Sequence, residues 1–242
     1  MTKIEWCDET INPIVGCTKI SAGCQNCYAE KMAWRLKCMG IPKYQDVVDK
    51  NGWTGKIGVD FGDIFSKLKN AKPKKIFVSS MGDLFHEKVL WNDQYKIFEM
   101  AYLLKQHTFM LLTKRPKILL NYYDSIFFHL KRNYNLTIEY LPNLWLGVTT
   151  ETQYLYDEGW SILGNNIPAA VKFVSIEPAL EYVNIDIFAP WPDWVIWGPE
   201  TGPGKRPYKD EWAEATYEQC REKKIPFFDK RKDPIAREFP TW

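Results

Sequence analysis

The sequence predicts an α/β fold with a mostly parallel sheet, on two observations. Short apolar runs rich in β-branched and aromatic residues recur along the chain, and their hydrophobicity is continuous rather than alternating, which is typical of strands buried on both faces. Stretches with helical periodicity lie between several of these runs. Strand followed by helix, repeated, gives either a doubly wound sheet or a barrel, and periodicity alone does not choose between them.

Six runs are predicted as strands: Lys75–Ser79, Thr108–Thr113, Leu144–Val148, Val171–Ser175, Trp194–Trp197 and Ile225–Phe228. A helical pattern covers Tyr28–Cys38, and three further helices have ordinary start signals, with Asn92 and Asp210 as caps and Pro116 as a first helical residue. No internal repeat or linker-like stretch divides the chain. We therefore expect a single domain over residues 1–242.

The composition, 45% hydrophobic and 26% charged over 242 residues, is that of an ordinary globular protein. The 32 basic and 30 acidic side chains leave a net charge of +2, which excludes a protein that coats nucleic acid through charge alone but permits a local basic patch. The chain has no run of about 18 apolar residues, and Met1–Glu5 opens no apolar signal segment. We expect a soluble, cytoplasmic protein without a membrane partner, located in the host cytoplasm if a phage encodes it.

Polar and charged side chains follow nearly every predicted strand. They are Ser79, Ser80 and Asp83; Thr113, Lys114 and Arg115; Thr149, Thr150 and Glu151; Ser175 and Glu177; Glu200 and Thr201; and Asp229, Lys230 and Arg231. In a parallel barrel the loops after the strands share one face, and that face carries the chemistry. A solvated loop explains any single position equally well, but six in succession favour a shared polar pocket.

The six cysteines are Cys7, Cys17, Cys24, Cys27, Cys38 and Cys220. Without a secretory signal, metal or redox chemistry is a better expectation than disulfides. Cys17, Cys24 and Cys27 form a C-x6-C-x2-C run in a loop rich in glycine, and a loop can direct several thiolates to one centre. Cys27 lies at the start of a predicted helix, where the helix dipole favours a thiolate.

Three metal or redox sites are compatible with this run. A closed zinc site needs a fourth ligand, for which Cys7 or Cys38 is available, but the usual zinc ribbon repeats a paired C-x-x-C and this chain has one such pair. An isolated redox pair leaves Cys17 unexplained. The third is a [4Fe–4S] cluster held by three cysteines, with its fourth iron open to another ligand, and the spacing favours it.

The cysteine loop resembles the cluster loop of the radical S-adenosylmethionine (SAM) superfamily. The first gap is six residues where the superfamily commonly has three, and Asn26 stands where an aromatic residue usually precedes the last cysteine. A longer set of strings resembles a small three-cysteine family carried by phages and bacteria, at the margin of that superfamily. These strings are Lys3–Trp6, Asn12–Pro13, Gly16–Cys17, Gly23–Glu30, Ser80–Phe85, Leu112–Pro116, Leu146–Val148, Ser175–Pro178 and Gly198–Pro207.

The resemblance implies a partial (β/α)6 barrel of the TIM-like, radical SAM type, with a short first strand near Ile4–Trp6 that leads into a cluster loop over residues 12–30. It implies that the three cysteines hold a [4Fe–4S] cluster whose open iron binds SAM. An electron from an external donor would cleave SAM to a 5′-deoxyadenosyl radical, which removes a hydrogen atom from an unreactive C–H bond. By position in the resemblance, the residues expected to bind the cofactor are Asn26, Tyr28, Ser80, Asp83, Thr149, Glu151, Ser175 and Glu177.

Basic residues at the predicted mouth would suit a nucleotide or DNA substrate, because guanidinium groups match phosphate oxygens. Nearby tryptophans (Trp145, Trp191, Trp194 and Trp197) could stack on bases. The alternative is that these basic residues form salt bridges with the acids of the same loops. The residues expected to bind substrate are Lys114, Arg115, Glu200, Lys205, Arg206, Asp229, Lys230 and Arg231.

The phage-type resemblance suggests an isomerase that rearranges a thymidine side chain during DNA hypermodification and so protects viral DNA from host nucleases. The competing class is a non-catalytic protein that binds zinc or interacts with nucleic acid. The sequence singles out no catalytic residue beyond the cofactor ligands.

Overall fold

Seven parallel strands form the central sheet of the computed structural model, which describes residues 4–187 and 189–241. The strands are β1 (Glu9–Ile11), β2 (Lys75–Val78), β3 (Thr108–Thr113), β4 (Leu144–Thr150), β5 (Val171–Ile176), β6 (Trp194–Trp197) and β7 (Phe227–Asp229). Their order in the sheet is their order along the chain, and every neighbouring pair is parallel. Residues 1–3, which belong to the N-terminal stretch considered above, lie outside the described residues.

Six helices accompany the sheet: α1 (Tyr28–Cys38), α2 (Ile64–Lys69), α3 (Trp91–Leu103), α4 (Pro116–Tyr134), α5 (Gln153–Asn166) and α6 (Asp210–Lys223). The last four each connect two successive strands, from β2 to β5 and from β6 to β7. Two short antiparallel pairs, Ile14–Val15 with Gly58–Val59 and Val48–Asp49 with Gly52–Trp53, flank α1 in the long segment between β1 and β2. No helix of the described ranges has the length and apolar character needed to cross a membrane.

An aromatic cluster on the inner face shows that the sheet is curled. The Trp6 ring centroid lies 4.6 Å from that of Phe77 on β2 and 6.2 Å from that of Trp194 on β6. Neighbouring strands are about 4.8 Å apart, so β2 and β6 would be roughly 19 Å apart in a flat sheet. One indole ring reaches both strands because the sheet closes around it into a half-barrel. The predicted α/β fold with a partial, mostly parallel barrel is confirmed at this level.

Both faces of the strands are buried. Alternate residues point inward to the cluster around Trp6, and the others, such as Ile76, Leu111 and Val174, pack in a second core beneath the helices. A strand covered on both sides needs apolar residues at every position. This explains why the hydrophobicity of the predicted strands is continuous rather than alternating.

The first strand differs from the prediction. It lies at Glu9–Ile11, not near Ile4–Trp6. Trp6 is 2% exposed and fills the interior of the half-barrel, so the apolar character of this stretch reflects core packing rather than a place in the sheet. The fourth strand also differs in length: β4 extends two residues beyond the predicted Leu144–Val148 and includes Thr149 and Thr150.

Two helix starts also differ. Leu90, in an extended conformation, occupies the N-cap of α3, so Asn92 lies inside the first turn and does not cap it. The N-cap of α6 is Lys209, and Asp210 is the first helical residue, where its negative charge still interacts favourably with the helix dipole. Pro116 begins α4 as predicted.

We expect Trp194→Ala to lower the free energy of unfolding by about 3–5 kcal/mol, since it removes a large, fully buried side chain. The Trp194 ring contacts those of Trp6, Trp145, Phe173, Phe228 and Phe239. Urea unfolding measures the change. Trp34→Ala on the exposed side of α1 is the control, with an expected change within about 0.5 kcal/mol; equal losses in the two variants would contradict a half-barrel held by its inner cluster.

Candidate functional site

A cavity of about 260 Å³ opens at the carboxyl ends of the strands. Apolar side chains of Trp6, Phe77 and Leu112 form part of its wall, and the polar residues that follow the strands form much of the rest. The predicted site residues that line it are Cys17, Cys24, Asn26, Cys27, Tyr28, Ser80, Asp83, Lys114, Arg115, Thr149, Ser175, Glu177, Glu200 and Lys230. The sheet therefore brings the three cysteines and most of the predicted polar residues to one place.

Five predicted residues lie elsewhere. Glu151 lines a neighbouring cavity of about 300 Å³, and Lys205, Arg206, Asp229 and Arg231 line neither cavity. Arg231 and Asp229 form a buried ion pair of 2.9 Å at the end of β7. This pair orders the segment after the strand, so a substrate would reach either residue only by breaking the ion pair.

Two glycines place the cysteine loop against the loop after β2. The backbone N–H of Gly16 donates to the Met81 carbonyl at 3.0 Å, and Gly16 has a φ of +94°, a conformation that glycine adopts without steric cost. A Cβ atom on Gly82 would lie 2.8 Å from the Gly16 carbonyl oxygen. The two backbones can approach this closely because Gly82 has no side chain, and Gly16 must also be glycine because a Cβ atom there would lie 2.4 Å from the Lys56 carbonyl oxygen.

The three thiols have different surroundings. All three cysteines are free. The Arg115 Nη1 lies 3.7 Å from the Cys17 Sγ, the Ser21 Oγ lies 3.3 Å from the Cys24 Sγ, and Cys27 occupies the N-cap of α1. Burial raises the pKa of Cys17 to about 12 and also raises the pKa of Cys27. Burial thus favours the neutral thiol over the charged thiolate at both positions.

Cys17, Cys24 and Cys27 bring three thiols to the wall of one cavity. In the part of the chain that the structure describes, no three His, Cys, Asp or Glu side chains are grouped closely enough to hold one metal ion. An iron–sulfur cluster instead attaches each cysteine to a different iron, and soft thiolates are its preferred ligands. Three cysteines around one cavity match that requirement.

The geometry does not favour a closed zinc site. Cys38 is exposed at the far end of α1, about 16 Å along the helix from Cys27. The Cys7 thiol donates to the Ile4 carbonyl at 3.6 Å and packs on the inner aromatic cluster. Neither cysteine lies with the other three as a fourth ligand.

The basic side chains at the mouth are paired with carboxylates. Lys114 pairs with Glu151, Lys230 with Glu177, Arg206 with Glu200, and Arg115 with Asp83 and Glu87. In the structure these four basic residues therefore form salt bridges with acidic residues, which is the alternative to substrate binding considered from the sequence. A phosphate would have to compete with a carboxylate that is already in place.

Glu151 holds the cysteine loop. It is fully buried, accepts a hydrogen bond of 2.7 Å from the Ser21 hydroxyl and pairs with Lys114. Gly23 lies against it so closely that a Cβ atom there would be 2.3 Å from the Glu151 Oε1. The end of β4 thus supports the segment that carries Cys24, while the second carboxylate oxygen of Glu151 has no hydrogen-bond partner among the described residues.

The glycine- and proline-rich segment after β6 packs on the cysteine loop from the other side. The Asn26 side-chain amide donates to the Glu200 Oε2 at 2.9 Å and to the Gly204 carbonyl at 3.0 Å. Hydrogen bonds from Arg206 lower the pKa of Glu200 to about 2. Asn26 is therefore a contact between two loops, at the position where the resemblance expects cofactor binding.

Aromatic residues of the cavity were not all predicted. Tyr28 donates its hydroxyl to the Ser80 carbonyl at 2.8 Å and leaves its ring half exposed. The unpredicted Trp53 also lines the cavity. Trp53 belongs to a two-residue strand with no spacing signal.

Of the four tryptophans considered for stacking, Trp145 and Trp194 belong to the inner cluster and Trp197 to the core beneath the helices. Trp191 is exposed and contacts Lys223. None of the four lines the cavity, within the residues that the structure describes.

Ser79 was expected in the polar pocket but was assigned no binding role, and it lines the cavity. Its φ of +62° is rare outside glycine, and its buried hydroxyl has no hydrogen-bond partner among the described residues. Both features were hidden in the sequence, where Ser79 simply ends an apolar run.

Fold and site together define an α/β half-barrel with a three-cysteine cavity at the carboxyl ends of its strands. The chain belongs to DUF5131, a family of proteins of unknown function whose model matches residues 1–235. Neither a curated protein nor a solved structure matches the chain.

We expect Glu200→Gln to destabilise the protein at neutral pH and the difference from the wild type to shrink in acid. The pKa of Glu200 falls from an ordinary 4.5 to about 2 on folding, so its ionised form adds stability above pH 4.5. That contribution is lost as the pH falls from 4.5 towards 2. Urea unfolding of both proteins between pH 7 and pH 3 measures the difference; a gap independent of pH would contradict the assignment.

Proposed function

We propose that this protein is a radical SAM enzyme in which Cys17, Cys24 and Cys27 hold a [4Fe–4S] cluster. The observation that carries the proposal is the convergence of these thiols on one cavity at the carboxyl edge of a curled parallel sheet. The resemblance of the cysteine loop to the superfamily's cluster loop supports the same assignment. Such a cluster would supply one-electron chemistry for the reductive cleavage of SAM, with the electron coming from an external donor and the resulting radical able to remove a hydrogen atom from a C–H bond.

The chain's own residues would hold and shield this chemistry. Thr149, Ser175 and Glu177 end β4 and β5 at the cavity wall, where hydroxyl and carboxylate oxygens can bind the polar parts of SAM. Trp6 and Phe77 close the interior with apolar surface, which keeps water away from a reactive intermediate. The protein orients and protects, while the cofactors supply the reactivity.

The space at the strand ends suits a ligand together with a substrate. The main cavity alone, about 260 Å³, is below the roughly 300–1,000 Å³ typical of sites for drug-sized ligands. The neighbouring cavity of about 300 Å³ shares Lys114, Arg115 and Thr149 with it. We propose that SAM extends from the main cavity towards this neighbouring one.

For the substrate we propose a nucleotide or a base in DNA, in a rearrangement of the thymidine side chain during phage DNA hypermodification. Tyr28 and Trp53 in the cavity wall offer flat surfaces on which a base can stack. Lys114 and Lys230 at the mouth could exchange their carboxylate partners for phosphate. Such a modification would protect viral DNA from host nucleases.

We expect the anaerobically reconstituted protein to contain about four iron and four sulfide per chain and to absorb visible light. With SAM and a chemical reductant it should release 5′-deoxyadenosine. Alanine at Cys17, Cys24 or Cys27 should abolish both properties, because each thiol holds a different iron. Cys38→Ala, which removes an exposed cysteine outside the cavity, is the matched control and should retain both.

Metal analysis separates the alternative function. One zinc per chain and no sulfide would support a zinc-binding module and would overturn the proposed radical SAM activity. Retention of iron, sulfide and SAM cleavage by all three alanine variants would also exclude the cluster site.

The substrate proposal has its own test. We expect the reconstituted enzyme, given SAM and reductant, to change the nucleoside composition of thymidine-hypermodified phage DNA, as measured by mass spectrometry after complete digestion. The Cys24→Ala protein is the control. Unchanged nucleosides with continuing SAM cleavage would remove this substrate but leave the enzyme class standing.

A further inference from the structure

The Arg115 side chain reaches from the end of β3 to the cysteine loop. Its Nη2 donates to the Thr18 carbonyl oxygen at 3.2 Å and to the Thr18 Oγ1 at 2.8 Å. Its Nη1 lies 3.7 Å from the Cys17 Sγ, which is hydrogen-bond distance for sulfur. The guanidinium therefore contacts two successive residues of the loop and directs an N–H group at one thiol.

Two carboxylates fix this guanidinium in place. Nη1 also donates to the Asp83 Oδ2 at 3.1 Å, and Nε donates to the Glu87 Oε1 at 3.0 Å. Asp83 is itself held by the Thr113 hydroxyl at 2.8 Å. The side chains of Arg115 and Asp83 are both nearly buried, so their charges act on Cys17 with little screening by water.

Because all three guanidinium nitrogens are engaged, Arg115 is poorly placed for the substrate contact that the sequence predicted. A phosphate could reach it only by breaking an ion pair or a contact to the loop.

Cys17 differs from the other two cysteines in having charged side chains next to its thiol. Cys24 lies next to the neutral Ser21 hydroxyl, and Cys27 faces neutral donors, the backbone N–H groups of Ala29 and Glu30 and the side chain of Trp53. A full positive charge and a nearby negative charge, from Arg115 and Asp83, act on Cys17. The three ligand positions are thus electrostatically unequal.

We propose that Arg115 is a positioning residue that sets the reduction potential of the cluster through Cys17, with Asp83 as the opposing charge. The inference rests on the proposed function, since it requires the cluster. Reduction by an external one-electron donor adds one negative charge, and an N–H donor or a cation at a ligating sulfur stabilises the more negative state. Arg115 therefore favours the reduced form, and Asp83 disfavours it.

Potentiometric titration of the reconstituted proteins without SAM tests this. We expect Arg115→Gln to make one-electron reduction at least tenfold less favourable, a potential about 59 mV lower. Asp83→Asn should shift the potential in the opposite direction, because it removes the negative charge and leaves the arginine. Arg115→Lys, which keeps the charge, should recover part of the loss.

Arg221→Gln is the matched control, since it removes an arginine from an exposed pair on α6, and its potential should equal that of the wild type. An unchanged potential in Arg115→Gln, or shifts of the same sign in Arg115→Gln and Asp83→Asn, would show that the arginine only supports the fold. If the Arg115→Gln protein retains no iron, the Asp83→Asn protein provides the test. A reduction potential above that of the wild type would support the proposal, and an unchanged reduction potential would contradict it. A wild-type protein without iron would overturn the proposed function and this inference together.

Discussion

The contact between the Gly16 and Gly82 backbones determines the geometry of the whole site. It joins the loop after β1 to the loop after β2 at a distance that a side chain on residue 82 would not permit. Cys17 directly follows one glycine and Asp83 directly follows the other, so the contact places the thiol beside the carboxylate. Arg115 from β3 then completes the group. Three loops that are distant in sequence meet here, and the absence of a side chain on Gly82 allows the first two backbones to touch.

Strands buried on both faces leave a strong signal in a sequence, and this explains which parts of the fold could be predicted. The runs around β2 to β6 are apolar at nearly every position, and each is a strand in the structure. Glu9–Ile11 gives no such signal, because it has three residues and two are polar. The strand that the resemblance implied near Ile4–Trp6 is wrong, because Trp6 fills the half-barrel without belonging to its sheet.

The location of the candidate site could be predicted from the sequence, but the ion pairs and hydrogen bonds within it could not. The cysteine spacing and the polar residues after each strand identify the cavity, since parallel strands end at one edge. The partners of the charges depend on distances across the sheet that no local pattern encodes. Glu151 is an example: it follows β4 as expected, but it binds Ser21 and Lys114 instead of lining the main cavity.

The pairing of charges also constrains what the cavity can bind. Lys114 and Lys230 at the mouth are neutralised by Glu151 and Glu177, so their charge gives a ligand little net attraction and instead selects for groups that can replace a carboxylate. The interior beside Phe77 is apolar and would desolvate a charged group at a high cost. If the proposed function holds, the arrangement favours a molecule that places an uncharged ring inside the half-barrel and keeps its anionic part at the rim.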